Sequence, residues 1–237
     1  MGKTAQHSPS SSPDQGQLVL YGTVTITGAA VMILELLGTR IIGPFYGVSL
    51  YVWSSLIAVT LIALALGYFL GGLIADRFPS VRLTHVIFTS ALTTVIIPFL
   101  SGPVLRATDS FGLRAGAFAS ALLLFTLPLT ALAMVGPYVI KRATRDLSGV
   151  GTASGTVYAI STVGSVVGTL LLGFFLLPMF GTRAIIVSLS LLLGLLAILV
   201  AWHEARSASL AHSVRPTVIL CIAAGILASL GLAASRE

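Results

Sequence analysis

Long stretches without a charged residue constrain the fold of this chain more than any motif does. Thirteen Lys/Arg and seven Asp/Glu residues are spread over 237 positions and leave seven long uncharged gaps. A helix rises about 1.5 Å per residue, so roughly 20 apolar residues cross the hydrocarbon core of a bilayer. We therefore predict an all-α, polytopic membrane protein with about seven transmembrane helices, near 18–38, 49–75, 83–105, 115–140, 152–178, 184–202 and 216–235.

The composition supports the membrane class and suggests three segments. Apolar residues make up 56% of the chain and charged residues only 8%, whereas soluble domains carry about a quarter charged residues. We predict a disordered polar tail at 1–17, a six-helix membrane bundle at 18–202, and a loop with a seventh membrane helix at 203–237.

The basic residues indicate an orientation. With the amino terminus in the cytoplasm, eight Lys/Arg residues fall on the cytoplasmic side and five on the other side, in agreement with the positive-inside rule. The eight are Lys3, Arg77, Arg82, Lys141, Arg142, Arg145, Arg206 and Arg215. We expect a multi-pass protein of a bacterial or archaeal cytoplasmic membrane, in direct contact with the lipid bilayer.

Several functional classes find no support in the residues. The net charge of +6 comes from basic residues scattered over the loops, so we predict no nucleic-acid partner. Phosphate-binding loops, hydrolase motifs and Ser-His-Asp or Cys-His sets are missing, and we predict no cofactor and no catalytic residue for this chain alone. His203, Glu204 and His212 lack the further ligands that a metal site needs, so we predict no metal.

Glu35 is the acidic residue that most needs an explanation, because it lies in the apolar run 28–38. A carboxylate at the centre of a membrane helix costs roughly 2.5–3.5 kcal/mol on insertion scales, and less near the interface. Gly38 could end the helix and let Arg40 fold back to form a structural ion pair with Glu35. The alternative is that Glu35 and Arg40 handle a solute or a proton.

A second group of charges follows the second predicted helix. Asp76 and Arg77 end a run of small residues, and Arg82 follows five positions later. We interpret these residues as a cytoplasmic loop motif that anchors a tight turn and pairs with neighbouring helix ends. The alternative is a solvated turn that only carries positive-inside charge.

Glycines at a spacing of four predict close helix packing. They occur as Gly67-x-x-x-Gly71 and Gly164-x-x-x-Gly168. Because lipid tails supply no hydrophobic drive between helices, small residues that let backbones approach are favoured at helix contacts. We expect these glycines to pack inside one bundle, with a dimer face as the alternative.

A weak internal repeat has an offset of 101 residues. It pairs Gly67 with Gly168, Gly72 with Gly173, and Arg82 with Arg183. A repeat of three helices would place its two copies in opposite membrane orientations, as in the inverted repeats of many transporters.

The order of these motifs resembles the membrane part of the spermidine-synthase-like integral membrane proteins, over roughly residues 24–202. The matching stretches are Glu35–Arg40, Ala63–Gly72, Ala75–Arg77, Gly155–Gly168, Gly173–Pro178 and Gly181. That family usually has a tryptophan at the position of Gly38 and an asparagine at the position of Ser161. The resemblance implies that the first six helices are similar to half of a major-facilitator bundle.

The resemblance also implies a function. In that family the membrane bundle accompanies an aminopropyltransferase-like domain, whose glycine-rich nucleotide loop is missing from these 237 residues. The leading hypothesis is a non-catalytic membrane module associated with such an enzyme, fused or as a soluble partner, that handles an amine or a related small solute. The alternatives are a stand-alone homodimeric small-solute transporter and a structural membrane subunit of a larger complex.

Overall fold

The computed structural model describes residues 15–78, 80–144 and 149–207, which are helical apart from short connections and contain no strand. The predicted all-α class is therefore confirmed for this part of the chain. A 3-10 turn at Asp109–Phe111 joins α3 to α4, and a π-helical segment at Leu172–Leu176 joins α6 to α7. The helices are α1 (Gln15–Tyr46), α2 (Leu50–Arg77), α3 (Leu83–Thr108), α4 (Gly112–Ala133), α5 (Val135–Ala143), α6 (Val150–Leu171), α7 (Leu177–Met179) and α8 (Thr182–Ser207).

Five helical stretches of the described residues are long and apolar enough to cross a membrane. They are Gly16–Tyr46, Leu50–Arg77, Leu83–Ala143, Val150–Met179 and Thr182–Arg206. The third holds 61 residues and folds back at its 3-10 turn, so that α3 and α4 pack against each other. The predicted count of seven helices is not confirmed, and the helix predicted at 216–235 lies outside the described residues.

Two predicted boundaries differ from the structure. Helix α1 continues through Gly38 to Tyr46, and the glycine that follows its end is Gly47, with a φ of +77°. This left-handed conformation is the one that favours glycine after a helix. Near the other end of the chain, α8 continues to Ser207, so His203 and Glu204 lie in a helix and not in the predicted loop.

Helix α1 forms the centre of the bundle, because it contacts each of the other long helices. Helix α4 packs on α2 and α3, α8 packs on α3, and α6 packs on α1. Helices α2 and α6 are the most exposed. Of the apolar 18-residue stretch in each span, 28% is buried for α2 and 17% for α6, compared with 56% for α8. We name the two ends of the bundle the Tyr46 end, where α1 meets α2, and the Arg77 end, where α2 meets α3.

The buried side chains form two main clusters. The larger cluster contains Leu34, Leu37 and Phe125, and the smaller cluster near the Arg77 end contains Leu83 and Val139. Because the larger cluster joins α1 to α4 through fully buried side chains, it fixes the position of α1 around Glu35.

A buried polar network holds the Tyr46 end together. Tyr46 Oη lies 2.9 Å from Thr108 Oγ1, which lies 2.6 Å from Ser120 Oγ. Gly116 leaves the space for the Tyr46 ring, since a Cβ there would lie 2.6 Å from Tyr46 Oη. The ends of α1, α3 and α4 are therefore joined by hydrogen bonds as well as by packing.

Candidate functional site

A cleft of about 180 Å³ lies between α1, α2, α4, α5 and α6. Six of its side chains carry hydroxyl groups: Thr27, Tyr68, Tyr158, Ser161, Thr162 and Ser165. Apolar side chains, among them Val31, Met32 and Leu64, form the rest of its wall. The cleft can therefore offer hydrogen bonds and an apolar surface to one small ligand.

A second cavity of about 180 Å³ lies between α1, the end of α6 and α8. Its lining is almost entirely apolar and includes Ile33, Leu171 and Leu189. Because it presents Ser188 as its only polar side chain, it suits a polar ligand less well than the first cleft does.

Glycines on α6 bring this helix, which lines one side of the cleft, close to α1. A Cβ atom added at Gly168 would lie 2.8 Å from Ala29 Cβ, and one at Gly164 would overlap the backbone of Thr25. Since real Cβ atoms do not approach other atoms this closely, only glycine permits the observed distance between these backbones.

Gly28 is a glycine of α1 that lies closely against the backbone of α6. A Cβ there would lie 2.5 Å from the carbonyl oxygen of Ser161 and 2.6 Å from its Oγ. Ser165 Oγ donates a hydrogen bond of 3.0 Å to the carbonyl oxygen of Gly28. The small side chain at position 161, where the resembling family has asparagine, thus lies directly against the backbone of α1.

Glycines on α2 bring this helix, which also lines the cleft, close to α4 and to the start of α5. A Cβ at Gly67 would lie 2.5 Å from the carbonyl oxygen of Thr130 and would overlap Ala133 Cβ. A Cβ at Gly71 would lie 2.8 Å from Met134 Cα, at the break between α4 and α5. All four glycines singled out from the sequence therefore face partners within their own chain.

The two glycine contacts are equivalent under the repeat of 101 residues. Adding 101 to Gly67 gives Gly168, and adding 101 to Ala29 gives Thr130. Gly67 contacts Thr130, and Gly168 contacts Ala29. The same pair of repeat positions therefore makes contact twice, once between α2 and α4 and once between α6 and α1.

Glu35 lies within α1 and not at its end. Eleven residues, or about 16 Å of helix, separate it from Tyr46. Because the helix is continuous to Arg40, the two side chains point about 140° apart. The expected ion pair is not formed: the ion pairs among the described residues are Lys141–Asp76 and Arg142–Glu204. Glu35 is partly buried and Arg40 is exposed.

Asp76 pairs with a neighbouring helix at the Arg77 end. Lys141 Nζ of α5 lies 2.9 Å from Asp76 Oδ1 and donates a hydrogen bond of 2.6 Å to the carbonyl oxygen of Ala75. Arg77 is the last residue of α2, and Arg82 precedes the first turn of α3. Within the described ranges, the side chains of these two arginines form no ion pair.

Glu204, which the sequence analysis assigned to a loop, is a buried acid of α8. Arg142 Nη1 lies 2.6 Å from Glu204 Oε1, and Thr84 Oγ1 donates a hydrogen bond of 2.7 Å to Glu204 Oε2. Among the residues that the structure describes, no three His, Cys, Asp or Glu side chains form a group that could hold a metal ion. His212, considered with Glu204 from the sequence, lies outside those residues.

Comparison of the chain with protein-family models, with curated proteins and with solved structures finds no match. The relationship to the spermidine-synthase-like membrane proteins therefore remains a prediction from the residues.

Proposed function

We propose that this chain is a non-catalytic integral membrane module that binds a small solute, an amine or a related compound, in the cleft between α1, α2, α4, α5 and α6. The observation that carries the proposal is the set of six hydroxyl side chains that line one cleft between the helices. Thr27 and Thr162 donate their hydroxyl hydrogens to backbone carbonyl groups of their own helices. Their oxygen atoms can still accept hydrogen bonds from a ligand in the cleft.

The volume of the cleft limits the size of the solute. Pockets for drug-sized ligands measure roughly 300–1,000 Å³, whereas this cleft measures about 180 Å³. A ligand with a short carbon chain and one or two polar groups fits this volume.

The resemblance to spermidine-synthase-like membrane proteins supports both the amine and the enzyme partner. Its glycine-rich stretches, Ala63–Gly72 and Gly155–Gly168, include the glycines on both sides of the cleft. An aminopropyltransferase-like enzyme, fused or soluble, would then use or supply the amine that the module binds.

A matched pair of substitutions on α6 tests the cleft. Thr162 and Val163 are both exposed, but only Thr162 lines the cleft. The full-length protein in lipid nanodiscs is titrated with radiolabelled 1,4-diaminobutane. We expect Thr162→Trp to weaken binding by about tenfold or more, which corresponds to at least about 1.4 kcal/mol, and Val163→Trp to bind as the wild type does. Equal binding by both variants, or no binding by the wild type, would contradict the proposal.

A stand-alone homodimeric transporter is the second candidate, and the equivalent contacts of Gly67 and Gly168 favour it. Such a pair of contacts supports an inverted repeat of three helices, as in half of a major-facilitator bundle. Proteoliposomes that contain only this chain would take up the diamine if the second candidate is correct, and the mass of the protein in detergent would correspond to two copies. Binding without uptake favours the first candidate.

A further inference from the structure

Glu35 lies one turn of α1 beyond the polar cleft, on the face of α1 that lines the cleft. It lies four residues after Val31 and three after Met32, both of which line the cleft, and residues at these spacings share one face of a helix. Gly28, also in the lining, lies seven residues before Glu35, or about 10 Å along the same face. A ligand that follows this face of α1 can therefore reach the Glu35 carboxylate from the cleft.

The charge of Glu35 has no compensation within the described part of the chain. None of the cleft-lining residues is charged, and the ion pairs that the described residues form do not include Glu35. Arg40, the nearest cation along the chain, points about 140° away on the same helix. A partly buried carboxylate inside a membrane span is normally paired, and a bound cation would supply the missing charge.

The part of the cleft away from Glu35 offers contacts for the carbon chain and a second ammonium group of a bound cation. Tyr68 of α2 and Tyr158 of α6 line it, and they are 43% and 48% exposed. Each offers a hydroxyl group and an aromatic ring that attracts ammonium groups. Val31, Met32 and Leu64 supply an apolar wall for methylene groups.

We infer that the cleft binds an elongated aliphatic amine, with one ammonium group at the Glu35 carboxylate and the carbon chain directed toward Tyr68 and Tyr158. The inference rests on the proposed function and narrows its solute class to protonated amines. A neutral diol can hydrogen-bond to the hydroxyl groups but leaves Glu35 without a counter-charge. A dicarboxylate of the same length is repelled by Glu35.

Three probes with four-carbon chains test the inference on the full-length protein in nanodiscs: 1,4-diaminobutane, 1,4-butanediol and succinate. We expect the wild type to bind the diamine at least about tenfold more tightly than the diol, and succinate not to compete. The variant Glu35→Gln keeps the size of the side chain and should weaken diamine binding by about tenfold or more, because a partly desolvated charge pair is lost.

Two further variants separate a lost counter-charge from a damaged fold. Asp109→Asn removes an exposed acid at the turn between α3 and α4 and should bind the diamine as the wild type does. Glu35→Asp keeps the carboxylate and should keep the preference for the diamine over the diol. The melting temperature of each variant in the same nanodiscs reports whether the bundle is intact.

The outcomes distinguish this inference from the proposed function. Wild-type diamine affinity in Glu35→Gln, or equal affinity for the diol and the diamine, overturns the inference. If Thr162→Trp still weakens binding by about tenfold or more in that case, the cleft remains the solute site. If Thr162→Trp binds every probe as the wild type does, the proposed function fails, and the inference fails with it.

Discussion

Arg142 at the end of α5 lies 2.6 Å from Glu204 at the end of α8, measured between Arg142 Nη1 and Glu204 Oε1. Thr84 of α3 donates a hydrogen bond to the other carboxylate oxygen, so three helices meet at a glutamate that is 7% exposed. The preceding residue, Lys141, pairs instead with Asp76 of α2, whose side chain is 73% exposed. Two consecutive residues of α5 thus form ion pairs with two different helices in very different surroundings.

Arg142→Ala should destabilise the bundle because it leaves the buried Glu204 carboxylate without its charged partner. Removing one partner of a fully buried pair costs about 3–5 kcal/mol. Since the Arg142 side chain is 40% exposed, we expect a smaller decrease of about 1–3 kcal/mol in the free energy of unfolding. Unfolding of the protein by heat or SDS in detergent micelles measures the change.

Lys141→Ala is the matched control for Arg142→Ala. Its ion pair is exposed, so we expect a loss of about 0–1 kcal/mol. The double variant Arg142→Ala/Glu204→Gln should be more stable than Arg142→Ala alone, because the uncompensated charge is removed. Equal losses for Lys141→Ala and Arg142→Ala would show that burial of Glu204 does not matter.

Gly168→Ala should separate α6 from α1. The new Cβ would lie 2.8 Å from Ala29 Cβ and 2.9 Å from Ala29 Cα, and overpacking of this kind costs about 1–3 kcal/mol. Gly155→Ala on the same helix meets no atom within 4 Å and should be neutral, or stabilising by up to about 1 kcal/mol. Thermal unfolding of both variants compares them, and a Gly168→Ala protein as stable as the wild type would contradict the close contact.

Tyr46→Phe should weaken the Tyr46 end of the bundle. It removes the hydroxyl group that is hydrogen-bonded to Thr108, at an expected cost of about 0.5–1.5 kcal/mol. Tyr51→Phe removes an exposed hydroxyl group that accepts a hydrogen bond from Arg114 and should cost less. Unfolding curves of the two variants test the difference, which disappears if the network at Thr108 contributes nothing.

Purification from native membranes tests the enzyme partner. We expect a gently solubilised, tagged chain to copurify with an aminopropyltransferase-like protein that mass spectrometry identifies. A tagged membrane protein of unrelated fold from the same cells is the control. Recovery of no such enzyme in repeated preparations would count against the module and leave the stand-alone transporter and the structural subunit of a larger complex.

The position of the membrane helices follows from the sequence because charges are costly in hydrocarbon and therefore collect at helix ends. The end of α1 does not follow in the same way, because Gly38, Gly43 and Gly47 are all candidate stops. In the structure Gly38 packs closely on Leu56 and Phe125, whereas Gly47 supplies the positive φ. Glycine serves close packing and tight turns equally well, and only the three-dimensional contacts separate these roles.

Some residues of the candidate site can also be selected from the sequence, whereas others are identified only by their three-dimensional contacts. Hydrophobicity and spacing are enough to select Glu35 and the paired glycines, because each is unusual in its local sequence. The pairing of Glu204 with Arg142 joins residues that are 62 positions apart, and the hydroxyl groups of the cleft come from three helices. Such groups are ordinary in their local sequence, so tertiary packing alone identifies them.

Helix α6 is attached to α1 through backbone atoms at Gly164 and Gly168. Its attachment therefore does not depend on Tyr158 and Thr162, which point into the cleft from the same helix. These two side chains can be exchanged for others of different size or polarity while the helix keeps its place. At Tyr158 and Thr162 the atoms that face the cleft are therefore not the atoms that attach the helix, and under the proposed function substitutions at these two positions would change the preferred solute without detaching α6.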